Sequence, residues 1–306
     1  MLSIQDKNKR LLRIATWSSV AIAILLIIVK SIAWWWTGSV SLLATLTDSC
    51  LDAVASIINL IAVHHALQPA DKEHRFGHGK IESLAGLGQA VLIVGSGAFL
   101  LLHAVERVLH PQAVEHISVG IIVMIISIVA TLVLLAVQRH VILETRSSAI
   151  KADSLHYKTD LLINASVIVS LCLIHWGWMG ADAIFAILIV IFILHSAWEI
   201  IQESWHTLID HELPDEDREK ISALLMTHTH AQGLHDLRTR QSGIQQFIQL
   251  HLELDGNLTL VQAHQFSNEV EALIQEAFPN AEVLIHADPV IVTSDRVTGK
   301  TTCKPT

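Results

Sequence analysis

The chain has 306 residues, of which 52% are hydrophobic and 16% charged. A soluble protein of this length carries about a quarter charged residues, so a purely soluble domain is excluded. The net charge is −9, with the acids concentrated in the last hundred residues. This points to a membrane part followed by an acidic soluble part and says little by itself about partners; no nucleic-acid partner is expected. Cys50, Cys172 and Cys303 lie far apart with no CxxC pair, so no disulfide framework is expected and the soluble part belongs in a reducing compartment.

The first apolar run, about Leu11 to Ile32, follows Lys7, Lys9, Arg10 and Arg13 and continues into Trp34, Trp35 and Trp36. A signal peptide would be shorter and end in small residues. The run therefore reads as a retained first membrane helix with an interfacial aromatic belt. Six spans are predicted, at about 11–33, 41–67, 81–108, 117–140, 150–175 and 180–205. Lys72, Arg75 and Lys80 follow span two, and Arg139, Arg146 and Lys151 follow span four. The opposite loops are poor in Lys and Arg, apart from Arg107, so both termini are expected in the cytoplasm. Trp176 and Trp178 would flank the outer turn between spans five and six.

After Trp205 the composition changes. A linker at His211–Arg218 leads to a helix at about 215–229, strands at about 235–242 and 245–254, a helix at about 259–277 and a strand at about 281–288. The expected organisation is a six-helix membrane domain over 1–206, an αββαβ metal-binding domain over 207–290 and a disordered tail over 291–306.

Spans two and five are the least hydrophobic, and an ionisable group inside a membrane is a functional feature by default. Asp48 and Asp52 are four residues apart in span two, as are His156 and Asp160 in span five. Residues at that spacing share a helix face. Two such helices present three carboxylates and one imidazole, a donor set suited to tetrahedral zinc. Clustered carboxylates should hold protons when no metal is bound, and metal must displace them. That predicts proton-coupled transport. Cys50 points away from this face, and absence of thiolate argues against copper(I). The imidazole argues against magnesium and calcium, leaving zinc, cadmium, iron(II), cobalt(II) and nickel(II).

Asp71, His74 and His78, in the loop after span two, form a second candidate metal site. His286 and Asp288 share a strand face, and His251 lies on the polar face of the neighbouring strand. With His235 and His264 they form a third candidate, provided the sheet pairs as expected. His64, His65, His103, His110, His116 and His195 read as interfacial or packing residues, and Asp182 as a helix N-cap. Lys80 and Asp210 stand at the ends of spans three and six, either as an ion pair or as separate solvated charges. Three other classes fit less well. An intramembrane aspartyl hydrolase would place its acids on separate helices. A sensor without flux would bind metal but not move it. An organic-cation exporter would want aromatic faces in spans two and five.

The segments AWWWTGSVSLLATLTDSCLDAVAS, LQPADKEHRFGHGKIESLAGLGQA, ADSLHYKTD, ELPDEDR, HDLRTRQSG and IHADP, in this order, make the chain resemble the cation diffusion facilitator family over about residues 10–290. The resemblance implies a homodimeric metal-for-proton antiporter of a bacterial inner membrane, with no enzymatic activity, exporting zinc and also cadmium or iron(II). It implies a transport site at Asp48, Asp52, His156 and Asp160 and a loop site at Asp71, His74 and His78. It further implies a two-metal site at His235, His251, His264, His286 and Asp288 in a ferredoxin-like cytoplasmic domain. Lys80 and Asp210 would form a salt bridge near the dimer hinge. Cys50 departs from the usual aliphatic residue without touching a ligand.

Overall fold

The structure is a computed structural model that describes residues 4–109, 117–175, 181–226 and 229–290. The tail 291–306, the Trp176 and Trp178 belt, and His110 and His116 lie outside the described residues, as do the side chains of His103 and Asp182. The chain divides into two compact units, Met1–Ile209 with Ser242–Ile244, and Asp210–Gln241 with Gln245–Thr306.

The first unit holds six long helices: α1 (Ile4–Thr37), α2 (Val40–Ala66), α3 (Lys80–Leu109), α4 (Ile117–Thr145), α5 (Ser148–His175) and α6 (Ala181–Leu208). They overrun most of the predicted spans because the apolar run marks only the bilayer core, while backbone hydrogen bonding continues beyond it. Helices α1, α2, α3, α4 and α6 contain stretches long and apolar enough to cross a membrane. Helix α5 carries Lys151, Asp153, Lys158 and Asp160 in its first half and an apolar second half. The α1–α2 corner is set by Gly38, whose φ of 62° lies in the left-handed region and whose N–H closes on the Trp34 carbonyl at 2.8 Å.

Large apolar side chains such as Val91, Phe99 and Leu102 point outward, whereas Ser19, Ser56, Asn59, Gln89, Gln138 and Asp153 are buried among the helices. That distribution suits a lipid solvent. Between helices in lipid there is no hydrophobic drive, so close packing and polar contacts carry the association.

The second unit is the αββαβ arrangement: α7 (Asp215–Met226), β1 (Gly233–Ser242), β2 (Gln245–Asp255), α8 (Leu260–Ala277) and β3 (Ala281–Val290). Strand order is β1-β2-β3. Strands β1 and β2 form a hairpin over Gly243, whose φ of 60° suits a tight two-residue turn. Strand β3 returns parallel to β2 after the α8 crossover, with His251 opposite His286 and Glu253 opposite Asp288. Ile248, Leu250, Leu252 and Leu254 on one face of β2 pack with Ile221, Leu225, Val270 and Ile274 of the helices. Side chains alternate along a strand, so the histidines occupy the face away from both helices. Thr259 starts α8 with a capping box to Gln262.

Candidate metal centres

The first centre lies between α2 and α5. His156 Nε2 is 3.0 Å from Asp52 Oδ1 and 3.7 Å from Asp160 Oδ2. The imidazole and the Asp52 carboxylate are only 15% and 16% exposed. One imidazole nitrogen thus sits between carboxylates from two helices, the position a cation would take by displacing the ring's proton. Asp52, His156 and Asp160 each present a ligand atom within 4.8 Å of the others. Asp48 stands one turn earlier on α2, about 6 Å along the axis. It is exposed and outside that three-residue set. Lys30 of α1 ties into the same stretch of α2, its ammonium donating to Ser49 Oγ at 2.6 Å and to the Thr45 carbonyl at 3.1 Å. Cys50 is exposed and is not one of the grouped residues.

The second centre is a folded loop. Asp71 accepts backbone N–H groups from Glu73 at 2.9 Å and His74 at 2.6 Å. The His74 N–H and then burial act on its carboxyl in opposite senses, and the hydrogen bond wins, holding it below the usual carboxylate range. Gly77, at φ 78°, turns the chain back so that His78 Nε2 reaches Asp71 Oδ2 at 3.3 Å. His74 Nδ1 lies 3.5 Å from Asp71 Oδ1, and the two rings are 4.6 Å apart. His78 Nδ1 is buried with no hydrogen-bond partner, an orphaned imidazole atom beside a two-His, one-Asp donor set. That set fits a transition metal with an open position.

The third centre is built by the sheet. Asp288 Oδ2 lies 2.8 Å from His251 Nδ1 and 3.2 Å from His235 Nε2, and Asp288 Oδ1 lies 3.2 Å from His286 Nε2. The His251 ring is 5.0 Å from His235 and 4.7 Å from His286. The hydrogen bond from His251 is the main cause holding the Asp288 carboxyl below its usual range. Three imidazoles around one carboxylate fit zinc or a similar ion. Two acids that sequence reasoning missed complete the surroundings. Glu253 Oε1 is 3.3 Å from His235 Nδ1, and Asp236 Oδ2 is 3.8 Å from His251 Nε2. Their signal was available, since Glu253 is two residues from His251 on the same strand face. Asp236 was harder to see because its φ of 50° takes it out of regular strand geometry.

His264 is not brought to this cluster within one chain. It is exposed on α8, with Nε2 3.4 Å from the Asn268 amide, and α8 covers the opposite face of the sheet. Lys80 donates to the Leu208 carbonyl at 3.1 Å, and Asp210 accepts from Arg240 at 3.2 Å. His64, His65 and His195 join no metal-competent group among the described residues.

An integral membrane protein with polar ligands between apolar helices and histidine-rich clusters outside them has the make-up of a metal-ion transporter. Residues 16–209 match the cation efflux transmembrane domain, and residues 213–290 the cation efflux protein cytoplasmic domain. The chain belongs to the cation diffusion facilitator family, as a cation efflux transporter with a metal-binding cytoplasmic domain. It is 46% identical to the cation-efflux pump FieF of Klebsiella pneumoniae over 280 residues, covering 92% of this chain and 93% of that protein. It is 44% identical to FieF of Serratia proteamaculans over 297 residues, covering 97% and 99%. Among solved structures, the zinc form of CzrB is 35% identical over 26% of this chain and 92% of its own, with a TM-score of 0.25. The metal-bound C-terminal domain of the CzcD transporter from Thermotoga maritima is 25% identical over 24% and 87%, with a TM-score of 0.24.

Proposed function

We propose that this transporter exchanges protons for a divalent transition metal, exporting zinc, and also cadmium or iron(II), from the cytoplasm. The observation that carries the reading is His156 Nε2 lodged between Asp52 and Asp160 inside the helical unit. Asp48, one turn away on α2, supplies the fourth ligand when the helices close on the ion. Each ligand must lose a proton to bind metal, so an ion arriving from the cytoplasm releases protons, and protons arriving from the far side release the ion. The O and N donors, without thiolate, suit zinc in four-coordinate geometry.

The protein works as a homodimer in a bacterial inner membrane, with lipid around its helices and both termini cytoplasmic. The domain boundaries follow the composition change near residue 206, and Lys80 and Asp210 pair at the hinge. Zinc resides at the loop and sheet centres, and the sheet centre acts as a cytoplasmic sensor that biases the transport helices. His264 would then join the sheet centre from the partner subunit, since α8 covers the wrong face in its own chain.

The test is zinc flux and internal pH recorded together in proteoliposomes. Asp52→Ala should abolish both while the protein stays folded. Native-rate zinc movement by Asp52→Ala would overturn the site assignment, and flux without proton movement would overturn the exchange.

A further inference from the structure

The transport ligands on α5 are only as well placed as the rotation of α5 itself. Metal sites tolerate ligand-distance errors of about 0.2 Å, and apolar packing is too undirected to hold a helix to that tolerance. One turn before His156 the structure supplies a directed contact. Asp153 is 0% exposed although it carries a carboxyl inside the helical unit. Its Oδ2 accepts from Ser19 Oγ of α1 at 2.5 Å and from Gln138 Nε2 of α4 at 2.7 Å. Its Oδ1 accepts from Gln89 Nε2 of α3 at 3.1 Å. Ser19 and Gln138 are themselves bonded at 3.1 Å. Three helices therefore converge on one side chain of a fourth.

The network continues to the ligands. Tyr157, next to His156, is buried, and its hydroxyl lies 2.8 Å from Ser56 Oγ of α2 and donates to the Ser19 carbonyl at 3.2 Å. Ser56 is one turn from Asp52 on the same face of α2. The Tyr157 and His156 rings meet edge-on at 5.5 Å.

We infer that Asp153 is a positioning residue for transport: its carboxylate gathers donors from α1, α3 and α4, fixes the rotation of α5, and so sets where His156 and Asp160 meet Asp52. This rests on the proposed transport site. It also accounts for a costly buried carboxyl that no metal ligand set uses. Buried donors left without an acceptor are destabilising. Ser19 can also reach the Ala15 carbonyl at 3.2 Å and Gln138 the Ser19 hydroxyl at 3.1 Å, but Asp153 is the one acceptor that gathers Ser19, Gln138 and Gln89 together.

The experiment uses the full-length protein carrying His78→Ala and His251→Ala, so that cobalt(II) reports the membrane site by its tetrahedral absorption bands. Asp153→Leu keeps the branching at Cγ, with greater bulk, but removes every acceptor. The expected result is a weakened and shifted cobalt spectrum, with zinc flux in proteoliposomes about 10- to 100-fold lower, the range for groups that orient metal ligands. Asp153→Asn should recover part of both, because Gln138 can turn its amide oxygen, which lacks a partner, toward the new donor. Should the leucine variant fail to fold, the asparagine variant alone carries the test, with values between native and none. Native spectra and native flux in the folded variants would overturn the inference. So would lost flux with an unaltered spectrum, which would place the defect away from ligand geometry. Asp52→Ala, run in parallel, separates the two levels. If it still transports, the site reading fails. If it is dead while Asp153→Leu behaves as native, only the role of Asp153 fails.

Discussion

Zinc should stabilise the β1–β2–β3 domain strongly, and replacing one residue should remove the effect. His251 is central to the sheet centre, 2.8 Å from the Asp288 carboxylate with His235 and His286 on either side. A ligand that binds only the folded state stabilises by about 2.7 kcal/mol when present at about 100 times its Kd. For a domain below about 100 residues, each kcal/mol moves Tm by about 4–8 °C. Saturating zinc should therefore raise the melting temperature of the soluble unit by about 10–20 °C. His251→Ala should lose nearly all of that shift. Its metal-free Tm should barely change, because the half-buried pair of His251 and Asp288 is screened by solvent. The sign with pH follows from the ligand chemistry. Zinc competes with protons for the imidazoles, so the zinc-dependent increment shrinks as pH falls. The assay is differential scanning fluorimetry of the full protein, with and without zinc, at several pH values. An unchanged zinc shift in His251→Ala, or a shift that grows as pH falls, would refute the reasoning.

Two further outcomes are expected. Gly77→Val forces a β-branched residue into a φ of 78°, a strain of about 1–2 kcal/mol or more. It should swing His78 away from Asp71, lowering zinc stoichiometry in equilibrium dialysis while leaving the zinc-dependent melting shift of the soluble unit in place. The Asp288 carboxyl is held below its usual range by His251. Its contribution to stability is therefore present above the unfolded carboxylate value, about 3.9, and is lost as pH falls through the lower folded value. Asp288→Asn should remove that part of the acid unfolding curve measured without metal.

The six helices and the αββαβ order were legible because each rests on local chemistry. Apolar run length reports bilayer thickness, and period-two alternation in β2 reports a sheet with one buried face. The pairs Asp48/Asp52 and His156/Asp160 were legible for the same reason, since a spacing of four is a geometric statement within one helix. Their partial separation was not. Only the relative rotation of α2 and α5 decides that Asp52, His156 and Asp160 share a locus while Asp48 stands a turn away. The loop centre depended on an Asx turn and a left-handed glycine, which the spacing of Asp71, His74 and His78 does not reveal.

What the sequence by itself determined is therefore which residues share a face: the ligand pairs on α2 and α5, and the polar edge of β2 and β3. Tertiary structure alone decided which faces meet. The parallel β2–β3 register set His251 beside His286, and the α8 crossover put His264 behind the sheet. Asp153 shows the difference most clearly. Read along the chain it is one more charge in a poor span, and its meaning comes from Ser19, Gln89 and Gln138, residues 134, 64 and 15 positions away on three other helices. Local spacing encodes direction around one axis, whereas a hydrogen bond between helices exists only after several axes have been packed.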